Sequence, residues 1–277
     1  MKALYRAIEK TSYEAAAKNL NCSLEELQWG VMGSTANMNK FAQLMAEAKQ
    51  AAATDPEIYQ KRVQIFANGL WDKMVSGHKD YMERGPKLSA TMKQASAFRI
   101  PTPQNEDAKN IAWEKVTPLR DWRKGKGEKI DRDLTLRIVH DGEKIYMLIE
   151  DPVETAGLTN LTPWGDGCEF FFGRKRDFPY HYLGIGHDGE AHILFFEILY
   201  QSSKWETALQ VKSELQDPKC WRLYVSLPLD SIGMKPGQML YFNASRGRNN
   251  RTEAFWIPTF GGNHEPSRFG EIWLDDL

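Results

Sequence analysis

The sequence predicts an α+β multidomain chain: an N-terminal helical hairpin or bundle segment over residues 1–95, then an antiparallel, jelly-roll-like β-sandwich over residues 96–277. Three observations predict it. Apolar residues recur every three or four positions up to Pro86, the period changes to two beyond Ile100, and turn-forming Gly, Pro and Asp-Gly pairs punctuate the second half. Length agrees, since 277 residues with 42% hydrophobic content support one large core or two moderate ones.

In the first half, Phe41, Leu44, Met45, Ala48 and Ala52 form the stripe of an amphipathic helix. Ser23 with Glu26 reads as a capping box, and Asp55-Pro56 as an N-cap followed by proline at the first helical position. About four helices are expected. The last two, roughly Thr35 to Ala53 and Pro56 to Glu83, would pair as a hairpin burying Phe41, Leu44, Ile58, Val63, Phe66, Leu70, Trp71 and Met74. So thin a helical segment reads as the tail of something larger. The stretch KLSATMKQASAFRI, bracketed by Gly85, Pro86, Pro101 and Pro103, reads as the connector into the second half.

There, TLRIVHDGEKIYMLIED and YHYLGIGHDGEAHILFFEI each place an Asp-Gly pair between two β-rich runs, which is a hairpin signal. Further strands are expected at Leu209 to Glu214, Trp221 to Leu227, Leu240 to Ser245 and Glu271 to Leu274, seven to nine in all.

Composition excludes several classes of function. Lysine plus arginine number 36 against 37 acidic residues, so no overall field attracts nucleic acid or an anionic membrane. Cys22, Cys168 and Cys220 form no CxxC pair, against a zinc site or a disulfide scaffold. No run of about 18 apolar residues offers a membrane span, and MKALYRAIEKTSYEAAAKNL lacks the apolar centre of a signal peptide.

The stretch LTPWGDGCEFFFGRKRDF carries the candidate site. Pro163 and Gly165 put Trp164 in a loop, where scaffolds commonly hold ligand-contacting residues. Trp256 follows the polar run NNRTEA. Trp113, Trp221 and Trp273 lie within periodic patterns and read as structural. Strand parity puts Cys168, Phe170 and Phe172 on one face and Glu169 with Phe171 on the other. An acid beside an aromatic is either a ligand contact or the partner of an arginine, here Arg246 or Arg248. Asn243 and Arg246, three apart, point oppositely unless the strand ends or bulges between them.

Taken in order, IAWEKV, the RIVHDGEKIYMLIED hairpin, WGDGCEFFFG, WRLYVSLPL, YFNASR, AFWIP and EPSRFGEIWL resemble carbohydrate-binding module family 9 and its DOMON-like β-sandwich relatives, over roughly residues 100 to 275. The resemblance implies noncatalytic binding of a mono- or oligosaccharide, with Trp164 and Trp256 sandwiching a terminal sugar and Glu169, Asn243 and Arg246 binding its hydroxyls. It also implies a structural calcium. Acidic clusters at Asn105-Glu106-Asp107, Asp131 to Asp133 and Glu150-Asp151 offer hard oxygen ligands for one, a solvated charge run being the other reading, and no EF-hand spacing is present. The helical half is similar to segments that precede such modules in large bacterial proteins of polysaccharide breakdown. That likeness implies an upstream catalytic domain as partner, and an extracellular or periplasmic setting.

The chemistry suits the ligand. A pyranose shows apolar C–H faces that a flat indole covers and a rim of hydroxyls that polar side chains meet, and aromatic contacts contribute about 0.5–1.5 kcal/mol beyond burial. Catalysis is not expected: Glu169 has no evident carboxylate partner for glycoside hydrolysis, no G-x-S-x-G surrounds a serine, and the histidines show no metal spacing. Two further readings stay open. One is a structural or interaction spacer without sugar binding. The other is a haem-binding DOMON-type module using Met147 and His181 as axial ligands.

Overall fold

The computed structural model describes residues 35–65, 67–69, 71–72, 75, 91–159, 165–198, 201–248, 251–260 and 262–276. The chain divides into two compact units, Met1–Ala90 and Thr91–Leu277.

In the first unit, α1 (Thr35–Ala51) ends with Lys49 in its last turn, where a cation favours the helix dipole. After the turn at 52–56, residues 57–65 are again helical. Ala48, Ala52 and Val63 pack into a small core, and Lys49 Nζ donates to Asn68 Oδ1 at 2.7 Å across the pair. Leu44 and Val63 are buried as the hairpin requires, but Ile58 is 56% exposed. The helix period explains this, since five positions from Ile58 to Val63 amount to about 140° around the axis. Trp71 is half-buried. The two leading helices with the Ser23–Glu26 box, and the side chains of Phe41, Phe66, Leu70 and Met74, fall outside the described residues.

The second unit holds β1 (Gln94–Arg99), β2 (Thr135–His140), β3 (Lys144–Asp151), β4 (Gly167–Gly173), β5 (Tyr180–Gly186), β6 (Ala191–Ile198), β7 (Gln201–Lys204), β8 (Gln210–Glu214), β9 (Trp221–Pro228), β10 (Met239–Arg248), β11 (Arg251–Phe255) and β12 (Gly270–Leu274). They form one continuous sheet in the order β7-β6-β5-β4-β10-β12-β1-β2-β3-β9-β8, with β11 beside β10. Both Asp-Gly hairpins form as expected. Gly142 (φ 104°) turns β2 into β3 and Gly189 (φ 87°) turns β5 into β6, each in the left-handed region that glycine tolerates.

The sheet is mixed rather than purely antiparallel. Gln94–Ala97 of β1 run parallel to Glu271–Leu274 of β12, and Phe98 and Arg99 run parallel to Val139 and His140 of β2. The stretch expected to be a connector is thus the strand at which the sheet curls over. Its inward side chains are only Ala95 and Ala97, so the period-two signal was weak, but Ala97 is fully buried. Two other strands were also missed. β7 is QSSK, polar and wholly exposed, and β11 follows the polar turn that had read as loop.

The two halves of the sheet share one core. Phe170, Phe172, Leu183, Phe242 and Ile272 from the β4 half meet Leu136, Met147, Ile149, Trp221 and Val225 from the β3 half. Trp113 is 7% exposed and its Nε1 donates to Ala108 O at 2.7 Å, in a smaller cluster over the outside of β3 and β9. Trp221 is fully buried, whereas Trp273, also expected to be structural, is 41% exposed on the outward face of β12. Met147 is fully buried among the apolar side chains of the shared core.

Overpacking the curl tests this arrangement. Ala97→Leu is expected to lower unfolding free energy by about 1–3 kcal/mol in urea titrations, because the core around the fully buried Ala97 must shift to admit the side chain. An unchanged midpoint would show that β1 does not close the core.

Candidate functional site

Alternation along β4 places Cys168, Phe170 and Phe172 in the shared core and turns Glu169 and Phe171 to the outer face of the sheet. Burial pushes the Cys168 thiol up to about 12, so this cysteine is an inert core residue. On the outer face Phe171 joins Tyr180, Tyr182 and Phe269 in a second aromatic cluster. The loop before β12 brings His264 against it, with ring centroids 4.5 Å from Phe196, 5.4 Å from Tyr182 and 5.6 Å from Phe171. Tyr180 Oη and His264 Nδ1 are hydrogen-bonded at 2.6 Å.

Glu169 is the polar hub of this face. It is 7% exposed. Its Oε1 accepts from Tyr182 Oη at 2.8 Å, and its Oε2 accepts from Ser245 Oγ at 2.5 Å and Asn263 Nδ2 at 2.7 Å. Asn263 Nδ2 also lies 2.6 Å from Thr252 Oγ1. Register explains the assembly: Glu169 pairs with Ser245 on β10 and with Gly184 on β5, and all three face outward. Gly184 is required there, because a Cβ would lie 2.7 Å from the Tyr182 hydroxyl that reaches across to Glu169. Burial, and next the adjacent Glu169 carboxylate, push the Tyr182 phenol up, so it stays protonated and donates. No cation forms an ion pair with Glu169 among the described residues. A carboxylate offers about four acceptor positions, so three neutral donors leave one free.

Of the two readings for Glu169, pairing with arginine is therefore not the one observed. Arg246 lies on the opposite face, fully buried, its guanidinium 4.7 Å from the Trp221 ring. Arg246 Nε donates to Asp151 Oδ2 at 2.7 Å and Nη1 to Asp166 Oδ1 at 3.4 Å. Arg132 adds a second link to Asp151 at 2.5 Å and reaches Glu253 at 2.7 Å. Asp166 also ties back to Thr159, on the other side of residues 160–164 in the sequence. Its Oδ2 accepts from Thr159 N at 2.9 Å and Thr159 Oγ1 at 3.0 Å, and its carbonyl accepts from His187 N at 2.7 Å. Residues 160–164, Trp164 included, lie outside the described residues.

Three of the five expected site residues are thus structural. Arg246 is an interior ion-pair partner. Asn243 is fully buried, and its side chain clamps the backbone of Ile257, donating to the carbonyl and accepting from the amide at 3.0 Å each. Trp256 is 2% exposed: its amide bonds Ala244 O at 2.9 Å, which turns the ring into the core 5.9 Å from Phe242. A ring so placed offers no open face for stacking a sugar. The polar loop before Trp256 misled because the chain turns inward immediately after β11. Tyr182, Ser245, Thr252 and Asn263 were missed. Tyr182 shares Glu169's face by parity, but Asn263, in the loop GGNHEP, carried no periodic signal.

The acidic clusters do not fit a calcium site. Glu150 bonds Arg137 and Arg222, Asp151 bonds Arg132 and Arg246, Asp133 pairs with Arg120, Glu106 with Lys144, and Asp107 caps Lys109 N. Among the described residues no three His, Cys, Asp or Glu side chains converge on one point.

Two measurements check the site. Glu169→Gln turns an amide donor toward three existing donors and is expected to cost about 1–3 kcal/mol of stability by urea titration, since a buried donor is left without an acceptor. Burial also lowers His264 from 6.5 to about 4. The stability gained by keeping it neutral is complete above pH 6.5 and is lost as pH falls toward 4. The urea midpoint should fall through that window, less steeply in His264→Phe; equal slopes would show that His264 titrates freely.

The sequence matches no family model and no curated protein. Among solved structures the chain is similar to a carbohydrate binding module family 9 from Caldicellulosiruptor kristjanssonii in complex with cellotriose (19% identity, 67% of this chain and 95% of that one, TM-score 0.49). It is also similar to one from the same organism in complex with glucose (20% identity, 67% and 97%, TM-score 0.48), and to a protein of Bacteroides uniformis (18% identity, 65% and 97%, TM-score 0.48).

Proposed function

We propose that the β-unit binds a mono- or oligosaccharide without covalent chemistry, on the outer face of β4, β5 and β10, at the end where the Trp164 loop joins β4. Trp164 serves as the stacking platform and Glu169 as an acceptor for sugar hydroxyls. The observation that carries the reading is the state of Glu169: an almost buried carboxylate with no counter-charge among the described residues and an open acceptor position. Burying a charge without a partner is costly, and sites that retain one are disproportionately functional.

With Trp256 in the core, the platform is one-sided. One stacked face at about 0.5–1.5 kcal/mol beyond burial, plus a few hydrogen bonds, suits affinity toward the millimolar end once association costs are met. Such weak binding serves to hold a larger glycan-degrading parent near its substrate, where several weak attachments add by effective concentration. An upstream catalytic domain and a location outside the cytoplasm belong to the same proposal.

A second reading, a spacer that binds no sugar, is favoured by the interior roles of Trp256, Asn243 and Arg246. Calorimetric titration with glucose, xylose, galactose and their β-linked oligomers separates the two. At least one sugar is expected to bind with Kd below about 10 mM, and Trp164→Ala to weaken it about tenfold with the thermal midpoint unchanged. Trp256→Ala is expected to lower stability by about 3–5 kcal/mol instead. Absence of binding by every sugar, or equal binding after Trp164→Ala, would favour the spacer.

A further inference from the structure

At the other end of β4, some seven residues or about 20 Å from the Trp164 loop, the unit opens into a cleft of ≈ 680 Å³. Phe172, His181 and Phe195, from β4, β5 and β6, form its walls. Arg174 and Lys175 of the β4–β5 loop stand at one rim, and Asp230 and Ser231 at the other. The volume falls within the roughly 300–1,000 Å³ of small-molecule sites.

Three features separate this cleft from a packing defect. The first is His181. Its ring lies 4.8 Å from Phe195 and 4.7 Å edge-on to Trp205, and burial lowers its pKa to about 4, so it is neutral. Neither of its nitrogens has a hydrogen-bond partner among the described residues, which leaves one donor and one acceptor available at the wall. The second is Trp205 itself, whose buried Nε1–H has no hydrogen-bond partner among the described residues. Buried polar groups in native proteins are nearly all satisfied, so this indole N–H packed against His181 is an exception among the described residues. The third is charge. Arg174 makes no ion pair among the described residues, and Lys175 has only the exposed Asp177 at 3.5 Å, a pairing worth little in water. Among the residues lining the cleft, these two cations stand against the one acid of the opposite rim, Asp230.

We infer that this cleft binds a small aromatic carboxylate, its ring held between Phe172, Phe195 and His181, its carboxylate at Arg174 and Lys175. A ring hydroxyl on such a ligand meets the donor and acceptor that the His181 ring leaves unused at the wall. A sugar does not suit these walls, since most of its hydroxyls would be buried without partners. Recognition here is independent of the Trp164 site and does not rest on the sugar-binding reading.

The test is ligand-observed NMR and calorimetry on the full chain with 4-hydroxybenzoate, with 4-hydroxybenzyl alcohol and hexanoate as comparisons. 4-Hydroxybenzoate is expected to bind with Kd below about 1 mM, and the uncharged alcohol and the non-aromatic hexanoate each about tenfold more weakly. The double substitution Arg174→Ala, Lys175→Ala removes only exposed side chains. It should weaken the carboxylate about tenfold while leaving the alcohol and the thermal midpoint unchanged. Trp164→Ala should change none of these values. No binding of 4-hydroxybenzoate at about 10 mM would overturn the assignment. So would equal binding of the alcohol or hexanoate, an unaltered affinity in the double variant, or a loss of affinity in Trp164→Ala.

Discussion

The Arg246 guanidinium ties together parts of the β-unit from both halves of the sheet. It springs from β10 in one half of the sheet, stacks on Trp221 of β9 in the other, and reaches Asp151 at the end of β3. Through Asp166 it is also linked to Thr159. A fully buried cation survives only when charges and hydrogen bonds surround it, and deleting one partner of such a group typically costs about 3–5 kcal/mol. The network therefore holds the two halves of the sheet at a fixed spacing. Arg132 shares the load by holding Asp151 and Glu253 from the side.

The two faces of β4 divide the remaining work. Inward, Phe170 and Phe172 fill the common core with rings at 6.5 Å, and Phe242 completes the group. Outward, Glu169 is surrounded by neutral donors, which orient its oxygens without discharging them. That difference is why Glu169 and Asp151, both nearly closed off from water, have different meanings. Asp151 is spent on arginines, whereas Glu169 retains capacity for a polar ligand.

Much of the fold was legible because period-two alternation and Asp-Gly turns leave strong local marks: β2, β3, β5, β6, β9 and β10 follow from them. β1 was not legible. Its inward side chains are alanines, and small residues give no hydrophobic contrast. The site was read less well than the fold. Glu169 was placed on the correct face by parity alone. Trp256 and Arg246 were assigned to that site, yet a single backbone turn after β11 and one step of alternation along β10 send both side chains inward. Strand parity distinguishes such cases in principle, but only once the registers of β10 and β11 are known, and a bulge between Arg246 and Gly247 shifts that register. Asn263 is brought to Glu169 by a long loop, and no local pattern records where a long loop lands.

β7 carries a consequence beyond its place in the order. A sheet that curls without sealing into a barrel keeps two terminal strands with unpaired amides and carbonyls, templates on which another chain could add a strand. Here those termini are QSSK and QVKSE, short, hydrophilic and each bearing a lysine. Adding a strand to either would bring that lysine against a foreign backbone, so the open ends discourage fibrillar stacking even at high local concentration.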